Sequence, residues 1–418
     1  MRMRAYLLFP AITMSMGWGL RGSIGGSFLG AMIPGALVAL ALCFLLGHDE
    51  KDAGLVAAFG AVGVGFGGEM TYGQTVGAIL KPSAYFWGLT GLTIKGAIWG
   101  LLGGAILGMA LSRQRPSRKK LSIGLGLMIA GAWIGWKLIN EPKLIYFSDR
   151  INKPRPEIWA GFLIGGLFLL AYLLKAGIGK VPLRFALWGA LGGGVGFGGG
   201  GSIFALAQIL HFGPAGYSWW KTMELTFGFF FGLALGWCSW QLRRDIQGPN
   251  TPAQAEAGRR KQLWLPLLAI AAIIGFMIWL NLADFVRFPD LIAGSGLLLA
   301  ALCWREQAWH IAITMTFAAF ILDLTHGFIA HNADTAAYSW IFAVIAIISA
   351  LYFIQRRQLA GKPMMEWSFI FLLWTSVIIG MFKVAITNAT GIIFLAMGII
   401  VTWIYFAIFR PDPPGHGA

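Results

Sequence analysis

Apolar residues run along this 418-residue chain in long blocks, not in the every-second-residue alternation of half-buried strands. Short polar turns separate the blocks. A helix crosses the ~30 Å hydrocarbon core in about 20 residues. With that ruler the pattern predicts about fourteen spans, near 5–20, 28–47, 54–80, 85–111, 121–139, 158–174, 185–211, 217–242, 263–283, 291–304, 308–323, 336–354, 367–387 and 391–409. The two shortest, 291–304 and 308–323, read as half-spans or re-entrant segments. The predicted fold class is all-α, a polytopic integral membrane protein.

Composition narrows the function classes. Hydrophobic residues make up 57% of the chain and charged residues 12%, about half the ~25% of a soluble domain. So little charge cannot cover a soluble surface of this size, which excludes a soluble enzyme, a disordered chain and a secreted disulfide scaffold. The net charge of +15 reflects 32 Lys and Arg against 17 Asp and Glu. Basic runs such as Arg118-Lys119-Lys120 are short and flank apolar blocks. They read as loops retained on the cytoplasmic side, and nucleic acid is not an expected partner. Placing the N-terminus inside puts Arg113, Arg115, Arg118, Lys119, Lys120, Arg243, Arg244, Arg259, Arg260, Lys261, Arg356 and Arg357 all on the inner side. The expectation is a plasma (inner) membrane protein with both termini cytoplasmic. Met1-Arg2-Met3-Arg4 imitates a signal peptide, but no A-x-A site follows, so the first helix reads as retained. Cys43, Cys238 and Cys303 lie in apolar stretches and form no CxxC pair.

Glycine is concentrated in the first part of the chain. The stretch 243–262 is the longest clearly polar segment and reads as a cytoplasmic linker. It divides a glycine-rich module, 1–242, from a six-helix module, 263–418. Within the first, Gly63-Val64-Gly65-Phe66-Gly67-Gly68 recurs as Gly194-Val195-Gly196-Phe197-Gly198-Gly199. Tyr85-x-Trp87 then matches Tyr217-x-Trp219, and Gly96, Gly100, Leu101 and Gly104 match Gly228, Gly232, Leu233 and Gly236. Order and spacing predict a parallel 4+4 duplication of 1–111 and 121–242. Glycines at every fourth residue let helices approach closely. The GVGFGG runs and Arg21-Gly22-Ser23-Ile24-Gly25-Gly26-Ser27 weaken helices, and irregular backbone at membrane depth is tolerated where it is buried or lines a wet cavity. The paired GFG-bearing runs resemble those of bacterial sulfur-compound permeases. The resemblance covers those two short runs without the cysteines that accompany them, and it carries over no residue roles.

Ionisable side chains at membrane depth cost about 2.5 kcal/mol or more and face a partner or a cavity. Helical rise places Arg21, Glu69, Lys137 and Glu224 in the outer third of their spans and Lys95 near the middle. Tyr72 and Gln74 follow Glu69, and Gln208 lies at a similar depth in the second copy. These eight residues are the candidate substrate-binding set. Two readings stand together: internal salt bridges, for example Arg21 with Glu69, and a polar cavity open to the outside. Arg binds an oxyanion bidentately while Glu and Gln accept hydroxyl protons, so a small polar solute with an anionic group fits the set best, and a neutral sugar is the alternative.

The longest outer loop, 140–157, carries Glu141, Asp149 and Glu157 among Lys143, Arg150, Lys153 and Arg155, and three prolines stiffen it. It reads as a cap over the module, or as a lid. Asp323-x-x-His326-x4-His331-x-x-Asp334 offers metal-ligand types without the spacing of a helix-borne pair, and no metal is assigned. Nor is a cofactor. The leading function is a transporter or permease. The alternatives are a membrane-embedded enzyme acting on a lipid-linked or cell-envelope substrate at the outer face, and an assembly subunit.

Overall fold

The computed structural model describes residues 3–24, 27–149, 154–213, 217–246, 288–314, 316–317, 321, 325, 336–384 and 388–409. Among these residues every regular element is a helix. They are α1 (Met3–Ile24), α2 (Ser27–Leu46), α3 (Glu50–Phe66), the short α4 (Gly73–Ala78), α5 (Tyr85–Leu111), α6 (Arg118–Gly135), α7 (Trp159–Lys175), α8 (Lys180–Ile209) and α9 (Trp219–Ile246). Then follow α10 (Pro289–Cys303), α11 (Ala336–Leu359), α12 (Met365–Val384) and α13 (Ala389–Phe409).

Among the described residues eight helical stretches are long and apolar enough to cross a membrane. They are Phe28–Leu46, Pro82–Leu111, Arg118–Asn140, Lys180–Ile209, Trp219–Ile246, Ile341–Leu359, Met365–Val384 and Ala389–Phe409. This is consistent with a multi-pass helical membrane protein. α7 and α10 are apolar but shorter. The predicted span 263–283, most of the linker 243–262 and Asp323, His326, His331 and Asp334 lie outside the described residues.

Helix ends follow local chemistry. Asp49 caps α3, its carboxylate accepting the Asp52 amide at 2.8 Å. Three helices end in one glycine motif, with Gly47, Gly177 and Gly361 in the left-handed region. In each, the next amide reaches back five residues: His48 to Cys43, Ile178 to Leu173, Lys362 to Arg357.

α5 packs on α8, α8 on α9, α9 on α1, α1 on α2, α2 on α3, and α3 on α5, which closes a ring. Glycine permits several of these approaches. A Cβ at Gly100 would strike the Gly189 carbonyl, and one at Gly236 the Tyr6 carbonyl. The glycine runs spaced by four are thus packing faces. The paired α6 and α7 lean on α5, α10 on α3, and α12 with α13 on α1.

One predicted element differs. The span 54–80 is not a continuous helix: α3 stops at Phe66, a tight turn covers Gly67–Glu69, and α4 follows. Gly67 lies against the Trp99 indole, where no side chain fits. The matching run Gly194–Gly199 stays helical within α8. There Gly196 packs on Phe227 of α9, while Gly199 faces open space.

Lysines and arginines cluster at the end of the ring where α3 begins. Asp52 pairs with Arg115 and lies 3.8 Å from Arg305. Nearby, Lys120 Nζ donates to the Ala176 carbonyl at 3.0 Å and Lys180 approaches Asp245 at 3.6 Å.

Candidate functional site

At the opposite end the last turn of α1, the chain before α4 and the first turns of α9 meet. The Arg21 guanidinium donates from Nη1 to the Tyr72 hydroxyl at 2.8 Å. It lies 5.8, 5.8 and 5.3 Å from the ring centroids of Trp18, Tyr72 and Trp99. Arg21 is 2% exposed, and its Nε has no hydrogen-bond partner. A guanidinium has five N–H donors; here one is used, and no carboxylate among the described residues pairs with it.

Glu224 is also buried, at 1% exposure. It accepts from Lys221 Nζ at 2.6 Å and from Trp220 Nε1 at 3.1 Å. Lys221 donates a second time, to the Gly19 carbonyl at 3.3 Å. Gly22 lies so close to the Glu224 carboxylate that a Cβ there would collide with it. The Tyr72 hydroxyl stands between Arg21 and Glu224 and interacts with both.

Beneath this polar group the ring is plugged. Trp18 meets Trp99 at 4.8 Å and Phe227 at 4.4 Å, and Phe197 meets Phe227 at 4.9 Å. Trp18 and Trp99 belong to α1 and α5, which are not neighbours in the ring, so their contact crosses its interior. Trp99 Nε1 donates to the Val64 carbonyl at 2.7 Å, which holds the indole across the axis. Tyr72 stacks on Trp220 at 6.0 Å, and both remain half-buried.

The other predicted residues stand elsewhere. Glu69 does not pair with Arg21. Its Oε1 accepts the Leu291 amide at 3.0 Å, in the first turn of α10, where unused amides and the helix dipole favour a carboxylate. Lys95 is a fully committed ammonium. Its three donors reach the Thr71 carbonyl at 2.7 Å, Thr75 Oγ1 at 2.8 Å and Glu157 Oε1 at 2.9 Å. Glu157 also accepts the Phe147 amide at 3.0 Å and the Ser148 hydroxyl at 2.9 Å. Gln74 accepts the Asp149 amide at 3.0 Å. Lys95, Glu157 and Gln74 therefore clamp the 140–157 loop to the bundle as a cap. Within that loop Arg150 and Lys153 lie outside the described residues.

Lys137 is a surface residue. It pairs with Glu141 at 2.5 Å with side chains 51% and 41% exposed. Gln208 is exposed on α8. Their depth fits the binding set, but depth does not say which face of a helix turns inward. Of the eight candidates, the structure brings Arg21, Tyr72 and Glu224 together. Sequence reasoning missed Lys221 and Trp220. The Lys221-x-x-Glu224 spacing, which sets both on one helix face, was the available signal.

No known protein family, curated protein or solved structure matches the chain.

Proposed function

We propose that the chain is a multi-pass permease for a small anionic solute, with Arg21 as its anion-binding group. The observation that supports this is the buried Arg21 guanidinium, which has one hydrogen bond and no carboxylate partner. Breaking a buried ion pair so that one charge is left alone costs about 3–5 kcal/mol. A lone cation is therefore better accounted for by an anion that completes it than by structure alone. Tyr72 covers the guanidinium, the Lys221–Glu224 pair flanks it, and the aromatic plug below separates it from the far end of the ring.

In this reading the site faces outward, the Arg- and Lys-rich end is cytoplasmic, and both termini lie on the cytoplasmic side of the plasma membrane. The fourteen-span count, the 1–242 and 263–418 modules and the parallel duplication belong to the same reading. The first GVGFGG run ends α3 and continues into the Gly67–Glu69 turn, and the second lies within α8; both helices belong to the ring.

The test is uptake of labelled small anions into proteoliposomes. Arg21→Gln is expected to lower uptake about tenfold or more. Lys137→Gln, at the surface, is expected to stay within about twofold of wild type. Unchanged uptake in Arg21→Gln would remove Arg21 from the proposal.

A further inference from the structure

We infer that the anion Arg21 takes is a monovalent carboxylate on a flat apolar body, an aromatic monocarboxylate being the simplest example. It sits where the Tyr72 hydroxyl now meets the guanidinium. This deepens the permease reading and rests on its assignment of Arg21.

Charge sets the valence. Lys221 and Glu224 lie 2.6 Å apart and cancel each other. Arg21 is left as one excess positive charge in a buried setting. A monoanion neutralises it. A dianion such as sulfate would replace one uncompensated buried charge with another, and the desolvation of the second negative charge would go unmatched.

Geometry sets the head group. A carboxylate can accept two parallel N–H bonds from the fork of a guanidinium. Arg21 makes one bond, to Tyr72 Oη at 2.8 Å, and its Nε is unused. Tyr72 lies in the non-helical stretch between the Gly67–Glu69 turn and α4. The phenol can therefore be displaced without unwinding a long helix.

The walls set the body. Trp18 and Trp99 are fully buried and form the floor. Tyr72 and Trp220 are half-buried, stacked at an interplanar angle of 28°, and border the approach. Phe204 meets Trp220 edge-on at 5.8 Å. Flat apolar groups pack on such rings in offset or edge-on geometry. A polyhydroxylated acid would bring hydroxyls to walls that offer few acceptors, and unpaired hydroxyls are costly to bury.

Equilibrium dialysis of the full chain in detergent micelles with labelled benzoate tests this. One saturable site per chain is expected. Unlabelled benzoate should displace the label at least about tenfold better than gluconate, sulfate or phosphate. Arg21→Gln should lose the site. Tyr72→Phe keeps the ring and removes the competing hydroxyl, so it should bind benzoate severalfold more tightly than wild type. That variant keeps the proposal testable if Arg21→Gln does not fold. Preference for sulfate or phosphate would overturn the carboxylate class and leave Arg21 as an anion site. Saturable, Arg21-dependent binding of labelled phosphatidylglycerol with no binding of benzoate would overturn the carboxylate class and assign the site to a lipid head group. Absence of binding by any anion would overturn the inference outright. Benzoate binding without uptake in proteoliposomes would uphold this site and remove the permease reading.

Discussion

Lys95 and Arg21 are both buried cations, and what separates them is how many acceptors surround each. Lys95 spends all three ammonium donors on Thr71, Thr75 and Glu157; Arg21 spends one of its guanidinium donors on Tyr72. The first arrangement is structural. Lys95→Met should destabilise the protein by about 3–5 kcal/mol, because Glu157 is left buried and unpaired. Replacing both residues, Lys95→Met with Glu157→Leu, should recover most of that loss. Denaturant unfolding in micelles measures both; a double variant no better than the single one would contradict the account. From sequence, Arg21, Tyr72 and Glu224 were legible as polar groups in apolar runs. Their partners were not. Nothing in the chain near Lys95 points to Glu157, 62 residues away, and nothing near Glu69 points to the amide of Leu291.

Among the elements, α5 and α8 show what glycine spacing means. Gly100 meets the Gly189 carbonyl, so Gly100→Ala must push two helices apart. The expected cost is about 1–3 kcal/mol. Gly199, on the same α8, faces open space. Gly199→Ala should be neutral or stabilising by up to about 1 kcal/mol. Equal effects in thermal unfolding would mean the α5–α8 interface is not the close one described. Periodicity made these packing faces legible, because lipid offers no other reason for a stripe of glycine. It did not reveal the break at Gly67, which depends on a Trp99 indole arriving from another helix.

The turn joining α2 to α3 carries a pH dependence. Burial lowers the His48 imidazole from its ordinary range, and the Arg115 charge lowers it further. At Asp52, just ahead of the predicted span, burial works upward, but the hydrogen bond and charge of Arg115 outweigh it and the net shift is downward. Both groups therefore contribute stability that is present above their unfolded values, about 6.5 and 3.9, and lost as pH falls through the lowered folded values. Unfolding temperature should be level above about pH 7 and decline in two stages below it. His48→Gln should flatten the first stage and Asp52→Asn the second; a stable protein at pH 3 would contradict both.

For the whole molecule, the ring of helices has a basic end and an aromatic-capped end. Loop charge made that polarity legible in the sequence, while the closure of the ring was not, since it depends on which distant helices share glycine faces. Cysteine labelling measures the direction in the membrane. Cys43 and Cys238 are buried, so with Cys303 replaced by Ser the background is low. Gln114→Cys should react with an impermeant maleimide only after the membrane is opened. Ser83→Cys, in the exposed turn Pro82–Ala84, should react on intact cells. The reverse pattern would turn the molecule over and place Arg21 on the cytoplasmic side.

A carboxylate stands at the start of α3 and another in the turn just past its end, and each one holds the start of a different helix. Glu50 accepts the amides of Met364 and Met365 at 2.9 and 2.8 Å, at the start of α12. Glu69, one turn past the other end, accepts the amide of Leu291 in α10. Mechanically α3 is a lever about 25 Å long with a hinge pin at either tip. If it pivots about its middle by roughly 10°, its tips move about 2 Å in opposite directions. A motion begun beside the Arg21 site would then arrive at the basic end reversed, carried by a single rod.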